Sequence, residues 1–346
     1  MWVVDNNTPF AVDRGFLRDR QGGEVWIVVI KGTFEVQRNG GVRAAAEQTP
    51  PSRVASWSGE PGKSSLLHDT DFVLKQNGTD VLVHGHVYAP GGRRTPTVDV
   101  GLRVAPLAKR IRVHGIRAWM RGYSSSAIVP GPARPFDKAA ITYENAFGGM
   151  DSGGPKGAPV CCAQNPVGRG FSHCPKNLIN TAAPQVELLD VPIKAGPYDL
   201  RPAGFGPIAP SWLPRAALAG TYDEAWKANQ APLLPKDFDE RFYRSAPIDQ
   251  QIARHLPAGQ LVELFNMTPD GVWGLRIPDL SFRMRVIFTD GEERANAVLH
   301  TVMLDPDKRR VQMVWHSSLP CHGREHKLTR AIVNCEGDRT CLSPST

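Results

Sequence analysis

Residues 201–251 form a long segment that is too rich in proline to be one helix or one strand. Each proline lacks a backbone donor and restricts the residue before it, so regular structure is interrupted repeatedly. The segment nevertheless carries seven aromatic side chains, a residue class that is scarce in disordered chains. We therefore predict an ordered, loop-built segment laid over a scaffold that the rest of the chain supplies, and we call residues 201–251 the belt.

The chain as a whole has the composition of a soluble globular protein made of short strands. Of 346 residues, 41% are hydrophobic and 22% are charged. The 33 glycines and 30 prolines are many for a helical protein and ordinary for strands that are joined by turns.

Hydrophobic patterns place strands at both ends of the chain. Residues 24–36 are β-branched and aromatic with a continuously apolar centre, which predicts a strand buried on both faces. In residues 109–117, Ile111 and Val113 alternate with charged residues, which is typical of a half-buried strand. The other predicted strands are 71–74 and 80–88 around a turn at Asn77-Gly78, 98–104, 261–267, 283–288, and 297–304 with 310–315 around a turn at 305–308.

The middle of the chain shows no clear periodicity from residue 123 to 214, and the belt contains two short helical candidates, 215–229 and 247–255. We predict a mainly β fold with antiparallel, β-sandwich-like sheets, long Pro/Gly-rich loops and a few short helices. The domain prediction is a single unit, 1–335, and a flexible tail, 336–346. A sub-boundary near residue 150 is an open alternative. In that case the unit consists of a β-meander (1–150), a loop-rich region with the belt (151–260) and returning strands (261–335).

The charge pattern favours acidic partners and argues against nucleic acid. The 41 basic and 34 acidic residues give a net charge of +7 and a pI near 9.2. The basic residues are scattered, whereas nucleic-acid-binding proteins usually gather them on one face. No signal peptide and no apolar run of membrane-spanning length is visible in the sequence, so we expect no membrane contact and a cytoplasmic location. The six cysteines are then expected to be reduced.

Motifs for enzymatic chemistry are weak. Gly62-Lys63-Ser64 lacks the earlier glycine of a phosphate-binding loop, because Trp57 stands there. The glycines in Gly204-x-Gly206 precede a proline that opposes a dinucleotide-binding helix. The chain has no G-x-S-x-G nucleophile motif. We predict no enzyme activity and no cofactor.

A metal site is the main alternative. His84 and His86 are two apart on a predicted strand and would share one face, near His68, as in cupin-like barrels. This would give a metal-dependent enzyme. Two other clusters, Cys161-Cys162 with His173-Cys174 and Cys321-His322 with His326, have zinc-ligand types but lack paired C-x-x-C spacing.

Several motifs of the chain, in order, resemble one bacterial family. They are KGTFEV at 31–36, TDVLVHGHVYAP at 79–90, YENAFGG at 143–149, NPVGRGF at 165–171, PAGFGPIAPSWLPR at 202–215, AGTYDEAW at 219–226, LPKDFDERFY at 234–243 and APIDQQ at 246–251. The family they resemble is called domain of unknown function 2169. That family is associated with type VI secretion loci, beside PAAR-like spike-tip proteins and their toxic effectors.

The resemblance implies a bacterial adaptor or chaperone that loads an effector onto the secretion spike. Its expected partners are the effector and a PAAR-like or VgrG-type spike protein, and the oligomeric state is not predicted. A structural component that is secreted with the spike is a further alternative.

The belt is the predicted partner-binding region, because aromatic side chains and arginine dominate protein interfaces. Its aromatic residues are also candidates for the core. We expect Asp237 and Asp239 to cap or turn the backbone, and Arg201, Arg215 and Arg241 to pair with acidic belt residues. The predicted partner-binding residues are Arg201, Phe205, Trp212, Arg215, Tyr222, Asp223, Trp226, Asp237, Phe238, Asp239, Asp249 and Gln250.

Overall fold

The computed structural model describes residues 2–123, 127–154, 157–196 and 200–342. Over these ranges the protein is mainly β, with antiparallel sheets and two short α-helices, α1 (Glu224–Asn229) and α2 (Arg339–Leu342). The predicted fold class is confirmed. Single turns of 3-10 helix lie at Pro90–Gly92, Tyr143–Asn145, Pro175–Leu178, Arg215–Leu218, Glu240–Tyr243, Ile248–Gln250, Pro306–Lys308 and Glu325–Lys327.

The strands are short in the middle of the chain and long near its ends. In chain order they are β1 (Val3–Asn7), β2 (Ala11–Arg18), β3 (Glu24–Val36), β4 (Val42–Ala44), β5 (Ser56–Trp57), β6 (Leu66–His68), β7 (Thr79–Val83), β8 (His86–Tyr88), β9 (Thr97–Val104), β10 (Leu107–His114), β11 (Trp119–Arg121), β12 (Ile128–Pro130), β13 (Lys138–Ala140), β14 (Phe147–Gly148), β15 (Met150–Asp151), β16 (Val160–Cys161), β17 (Arg169–Gly170), β18 (Val186–Leu188), β19 (Gln251–Ile252), β20 (Leu261–Phe265), β21 (Val272–Arg276), β22 (Leu280–Phe288), β23 (Gly291–Asp305), β24 (Arg310–Pro320) and β25 (Leu328–Gly337).

Two sheets carry most of these strands. The larger sheet has ten strands, and its main path runs β1-β25-β22-β23-β24-β3-β2, with β4 added to β3 and β7 lying beside β23 and β19. Among the described strands of this sheet, β1 with β25 and β7 with β23 are parallel and the other neighbours are antiparallel. The smaller sheet has five antiparallel strands in the order β18-β10-β9-β20-β21.

One apolar cluster joins the two sheets. It contains Trp26 and Ile30 from the larger sheet and Val100, Leu264 and Leu275 from the smaller sheet, all nearly inaccessible to solvent. Burying one large apolar side chain contributes about 1.5–3 kcal/mol. The sheets are therefore held face to face by a shared core, which is the predicted sandwich-like arrangement.

Strand β3 is buried on both faces, as its continuously apolar sequence predicts. Val28 and Ile30 face the shared core, while Ile27 and Val29 belong to a second cluster on the opposite face. Partly buried residues, Phe72 among them, cover that second cluster. A strand with two buried faces needs cover from elsewhere in the chain, and the loop that follows β6 supplies it.

The predicted strand at 71–74 is wrong, because Asp71 has another role. Its backbone N–H donates to the carbonyl of Ser52 at 2.8 Å, outside any sheet. Its carboxylate accepts from the backbone N–H of Ser52 at 2.7 Å and from Lys31 Nζ at 3.1 Å. His68 Nε2 lies 2.9 Å from both Lys31 Nζ and Asp71 Oδ1. This buried charge cluster fixes the loop against β3.

The other strand and turn predictions are partly confirmed. The predicted pairs 98–104 with 109–117 and 297–304 with 310–315 are the hairpins β9/β10 and β23/β24. The predicted strand 80–88 is divided into β7 and β8. The break falls at Gly85, where a Cβ atom would lie 2.9 Å from Pro306.

Neither of the two helices predicted in the belt forms over its predicted range. The candidate 215–229 is divided into a 3-10 turn and α1, because Gly220 between them adopts a positive φ of 81°. The candidate 247–255 is one 3-10 turn followed by β19. Within the predicted tail, 336–346, β25 continues to Gly337 and Cys341 in α2 is buried.

Three histidine rings form a column inside the protein. His300 lies between His255 and His316, with ring centroids 5.7 Å and 4.6 Å away, and the rings are nearly parallel. Burial lowers the pKa of His316 to about 4 and holds the pKa of His300 well below its ordinary value. Both rings are therefore neutral in the folded protein at neutral pH.

This column predicts a loss of stability in mild acid. In the unfolded chain His316 binds a proton near its ordinary pKa of 6.5, whereas the folded protein resists protonation down to about 4. Stability is therefore full above pH 6.5 and is lost as the pH falls from 6.5 toward 4. We expect His316 to account for about 2 kcal/mol of lost unfolding free energy between about pH 7.5 and 5.

Urea denaturation at the two pH values measures this effect. The control variant, His316→Phe, keeps an aromatic ring in the stack and cannot be protonated. We expect its stability to depend less on pH than that of the wild-type protein. An equal loss of unfolding free energy at pH 5 in both proteins would show that protonation of His316 does not cause the loss.

Candidate functional site

Buried aromatic side chains attach the belt to the scaffold. Phe205 lies in the shared core, and Trp212 packs edge-on against Tyr143 with ring centroids 5.5 Å apart. Both are 1% exposed, and Phe238 is 5% exposed. Burial of these three side chains stabilises the fold. It leaves Phe205 and Trp212 almost no surface for a partner, which corrects their prediction as partner-binding residues. Phe238 also lines a surface depression, so its role in partner binding stays a prediction.

Arg215 is buried and connects three parts of the structure. Its guanidinium donates to the carbonyls of Ile208 and Phe242, each at 2.8 Å, and pairs with Asp69 at 2.6 Å. It also lies over the Phe242 ring. Arg215 does lock the belt as predicted, but its acidic partner lies in the loop after β6 rather than in the belt. Arg215 is 6% exposed but lines the concavity described below, so its role as a partner-binding residue stays a prediction.

The C-terminal end of the belt is fixed by hydrogen bonds of Gln250 and Lys109. The Gln250 amide donates to the carbonyls of Val81 and Phe205 at 2.7 and 2.9 Å, and its oxygen accepts from Lys109 Nζ at 2.7 Å. Gln250 is fully buried, which corrects its prediction as a partner contact. Lys109 Nζ also pairs with Asp249 at 2.8 Å. Burial lowers the pKa of Lys109, against the attraction of the Asp249 carboxylate.

The belt and the adjoining loops enclose an open groove of about 560 Å³, which we call the belt groove. Lys109 and Tyr143 contribute to its lining, and the Tyr143 hydroxyl donates to the carbonyl of Gly206 at 3.1 Å. Burial raises the pKa of Tyr143, so its hydroxyl stays protonated. Two apolar side chains in the lining reach solvent: Leu213 is 39% exposed and Ile248 is 75% exposed.

A second depression, of about 680 Å³, is lined on one side by the same belt arginines, Arg241 and Arg244. Eight of its eleven lining residues are charged, both acidic and basic. In the belt groove six of nineteen are charged and most of the rest are apolar. Concave binding sites combine apolar lining with a few polar groups, so the belt groove is the stronger candidate.

The remaining predicted belt residues lie at or near the surface. Asp223 caps α1 by accepting from the backbone N–H of Trp226, and Tyr222 stacks edge-on with Trp226 at 4.7 Å. Asp239 accepts from the backbone N–H of Arg241 and pairs with its guanidinium, while Asp237 accepts from Thr221. The predicted capping role is therefore observed for Asp239, whereas Asp237 binds Thr221, 16 residues earlier. Arg201 and Asp249 are exposed and line the belt groove.

The histidines of the metal hypothesis have separate partners. His84 follows β7 and its Nε2 lies 2.6 Å from the carbonyl of Leu67. His86 begins β8 and its Nδ1 contacts Asp307 at 2.7 Å. Because the strand is broken between them, the assumption that they share one strand face is wrong. His68 belongs to the cluster of Lys31 and Asp71.

Some cysteines of the two proposed zinc clusters are at the surface and others are buried. Cys161 and Cys174 are exposed, whereas Cys162 and Cys321 are buried. In the described ranges no group of three or more His, Cys, Asp or Glu side chains is arranged to hold a metal ion.

One family model matches the chain over residues 21–316, and its description reads "Uncharacterized protein conserved in bacteria (DUF2169)". The chain belongs to this family. The family assignment made from the motifs is thus confirmed, and the matched region contains the whole belt. No curated protein and no solved structure matches the chain. Among the described residues of this family member, no helix is long and apolar enough to cross a membrane.

Sequence reasoning missed several residues of the belt groove. Lys109 had a signal, because it falls on the same face of β10 as Ile111 and Val113, which face the core. A lysine on an inward face needs a buried partner, so this pattern is a signal for one. Ile248 and Leu213 had no such signal. Their exposure depends on how the belt folds, which local pattern does not reveal.

Proposed function

We propose that this protein is a non-enzymatic adaptor that holds a partner protein in the belt groove. One observation carries the proposal: the groove presents solvent-exposed apolar side chains, Leu213 and Ile248, beside an apolar lining on a rigid surface. Exposed apolar side chains that cluster around a concavity are typical of protein-binding surfaces.

The fixed position of the belt supports this role. Arg215 and Gln250 each bond to backbone carbonyls on separate segments, so the groove walls are held before any partner arrives. A surface that is already ordered loses little conformational entropy on binding. The belt therefore offers contact area at low ordering cost, despite having little regular secondary structure.

The partner follows from the family resemblance. We propose that it is a type VI secretion effector or its PAAR-like or VgrG-type carrier, and that the protein loads the effector onto the spike. This role places the protein in the bacterial cytoplasm, where effectors are assembled before secretion. The basic character of the chain, with a net charge of +7, suits an acidic partner.

The test is co-elution on size exclusion of this protein with the effector and PAAR-like products of neighbouring genes, each also run alone. The double variant Leu213→Glu/Ile248→Glu places charges on the two exposed apolar groove residues. We expect it to weaken the complex by about 30-fold or more, as loss of interface hot spots does. The protein should stay folded because both positions reach solvent.

The matched control is Val54→Glu, which changes an apolar residue of 77% exposure that does not line the groove. We expect the control to bind as the wild-type protein does. A stable complex that resists the groove variant would place the partner elsewhere on the surface. Failure of all the gene products to co-elute would contradict the adaptor proposal itself.

A further inference from the structure

Basic residues outnumber acidic residues in the lining of the belt groove. Its lining contains five basic residues and one acidic residue, Asp249. The basic residues are Lys109, Arg201, Arg215, Arg241 and Arg244. A basic residue in such a lining attracts negatively charged ligands and repels basic ones where no carboxylate of the protein balances its charge.

Three of the arginines are paired with carboxylates that do not line the groove. Arg244 bonds to Asp80 at 2.8 Å, and the Asp80 side chain is 1% exposed. The other two pairs are Arg215 with Asp69 and Arg241 with Asp239. These carboxylates hold the arginines in place without lining the groove themselves. The three arginines are therefore held in place, and these carboxylates largely balance their charges.

Arg201 differs from the other four cations. Its side chain is exposed, and within the described ranges no carboxylate or other hydrogen-bond acceptor contacts it. Lys109, by contrast, already binds the Asp249 carboxylate at 2.8 Å. Arg201 is thus the groove cation whose guanidinium remains available for a partner's carboxylate. A guanidinium can bind a carboxylate through two parallel hydrogen bonds.

The groove lining is also apolar where it meets solvent. Leu213, Pro214 and Leu218 lie in the lining with Ile248. Its one aromatic side chain, Tyr143, is buried and offers no stacking surface for nucleotide bases. Apolar contacts together with cations favour an acidic peptide over a phosphate backbone, which needs positive charge alone.

We propose that the belt groove binds an acidic, extended segment of the partner protein, in which carboxylates alternate with apolar side chains. Arg201 binds one carboxylate, and the apolar side chains contact Leu213 and Ile248. This inference rests on the proposed adaptor function and adds the chemistry of the bound segment. Arg201 is then the residue that selects acidic partners.

Fluorescence anisotropy with three labelled peptides tests the inference. In the first, Glu alternates with Leu; in the others, Gln or Lys replaces every Glu. We expect the Glu peptide to bind on the order of tenfold more tightly than the Gln peptide, and the Lys peptide to bind least. Arg201→Glu should abolish the preference, and Arg201→Lys should retain part of it because the charge remains.

The control is Arg38→Glu, which makes the same charge change at an exposed arginine outside the groove. We expect it to keep the preference for the Glu peptide. Equal binding of the Glu and Gln peptides, or an equal effect of the two charge reversals, would overturn the inference. Tighter binding of a single-stranded DNA oligonucleotide than of the Glu peptide would also overturn it.

The two proposals fail in different ways. If the Glu peptide is not preferred but the gene products still co-elute and the Leu213/Ile248 variant breaks the complex, the groove binds a partner without selecting acidic residues. If no gene product binds, the proposed adaptor function is contradicted, regardless of how the peptides bind.

Discussion

Replacing Trp212 by alanine is expected to lower the free energy of unfolding by about 3–5 kcal/mol, the usual range for a buried tryptophan. Trp212 is 1% exposed and packs with Tyr143, Leu66 and Ile208 beneath the belt. The neighbouring Pro210 and Pro214 restrict the backbone, so the cavity cannot easily collapse. The loss therefore combines lost burial with an unfilled cavity.

Urea denaturation of the wild-type and variant proteins measures this loss. The control is Tyr222→Ala, which removes a belt aromatic that is 54% exposed. We expect it to change stability by about 0.5 kcal/mol or less, as most surface substitutions do. Similar effects at both positions would contradict the assignment of Trp212 as the anchor and Tyr222 as a surface residue.

Removing the carboxylate of Asp71 is expected to be similarly destabilising. Asp71→Ala leaves Lys31, which is 1% exposed, with a buried charge and no anionic partner. Breaking one side of a buried ion pair costs about 3–5 kcal/mol. The backbone N–H of Ser52 would also lose its acceptor, so the loop over β3 should loosen.

The double variant Lys31→Met/Asp71→Leu distinguishes the cost of an unpaired buried charge from the cost of lost packing. Replacing a whole buried ion pair by apolar residues is often neutral or stabilising, so we expect the double variant to be more stable than Asp71→Ala. Glu60→Ala removes a surface ion pair with Lys63, whose side chains are 65% and 73% exposed, and should cost at most about 1 kcal/mol. A double variant no more stable than Asp71→Ala would show that the lost charge partner is not the cause.

The elements that were predicted well are those whose local pattern agrees with their packing. The continuous apolar run of β3 and the alternation in β10 each specify which faces are buried. The turns between β9 and β10 and between β23 and β24 join strands that pair with each other, so short-range signals are sufficient. The failed strand at 71–74 contains Asp71, whose partner Lys31 lies 40 residues earlier.

Only part of the candidate site could be predicted from the sequence, for the same reason. The belt stood out because prolines and aromatic residues rarely occur together in a disordered segment. Which aromatics are buried depends on distant residues such as Tyr143, Leu66 and Lys109. Lys109 and Asp249 are 140 positions apart and meet only when the smaller sheet and the belt are both in place. No local pattern contains that information.

The pairing of β3 with β24 has a consequence for how the chain is made. The two strands are joined over eleven residue pairs, from Arg310↔Glu35 to Pro320↔Val25, yet nearly the whole sequence lies between them. During synthesis β3 leaves the ribosome early together with its neighbours β2 and β4, but the edge that pairs with β24 stays open until near the end. An apolar strand without its neighbour is prone to aggregation. We therefore expect this protein, proposed to load an effector before secretion, to expose one edge of β3 itself during its synthesis.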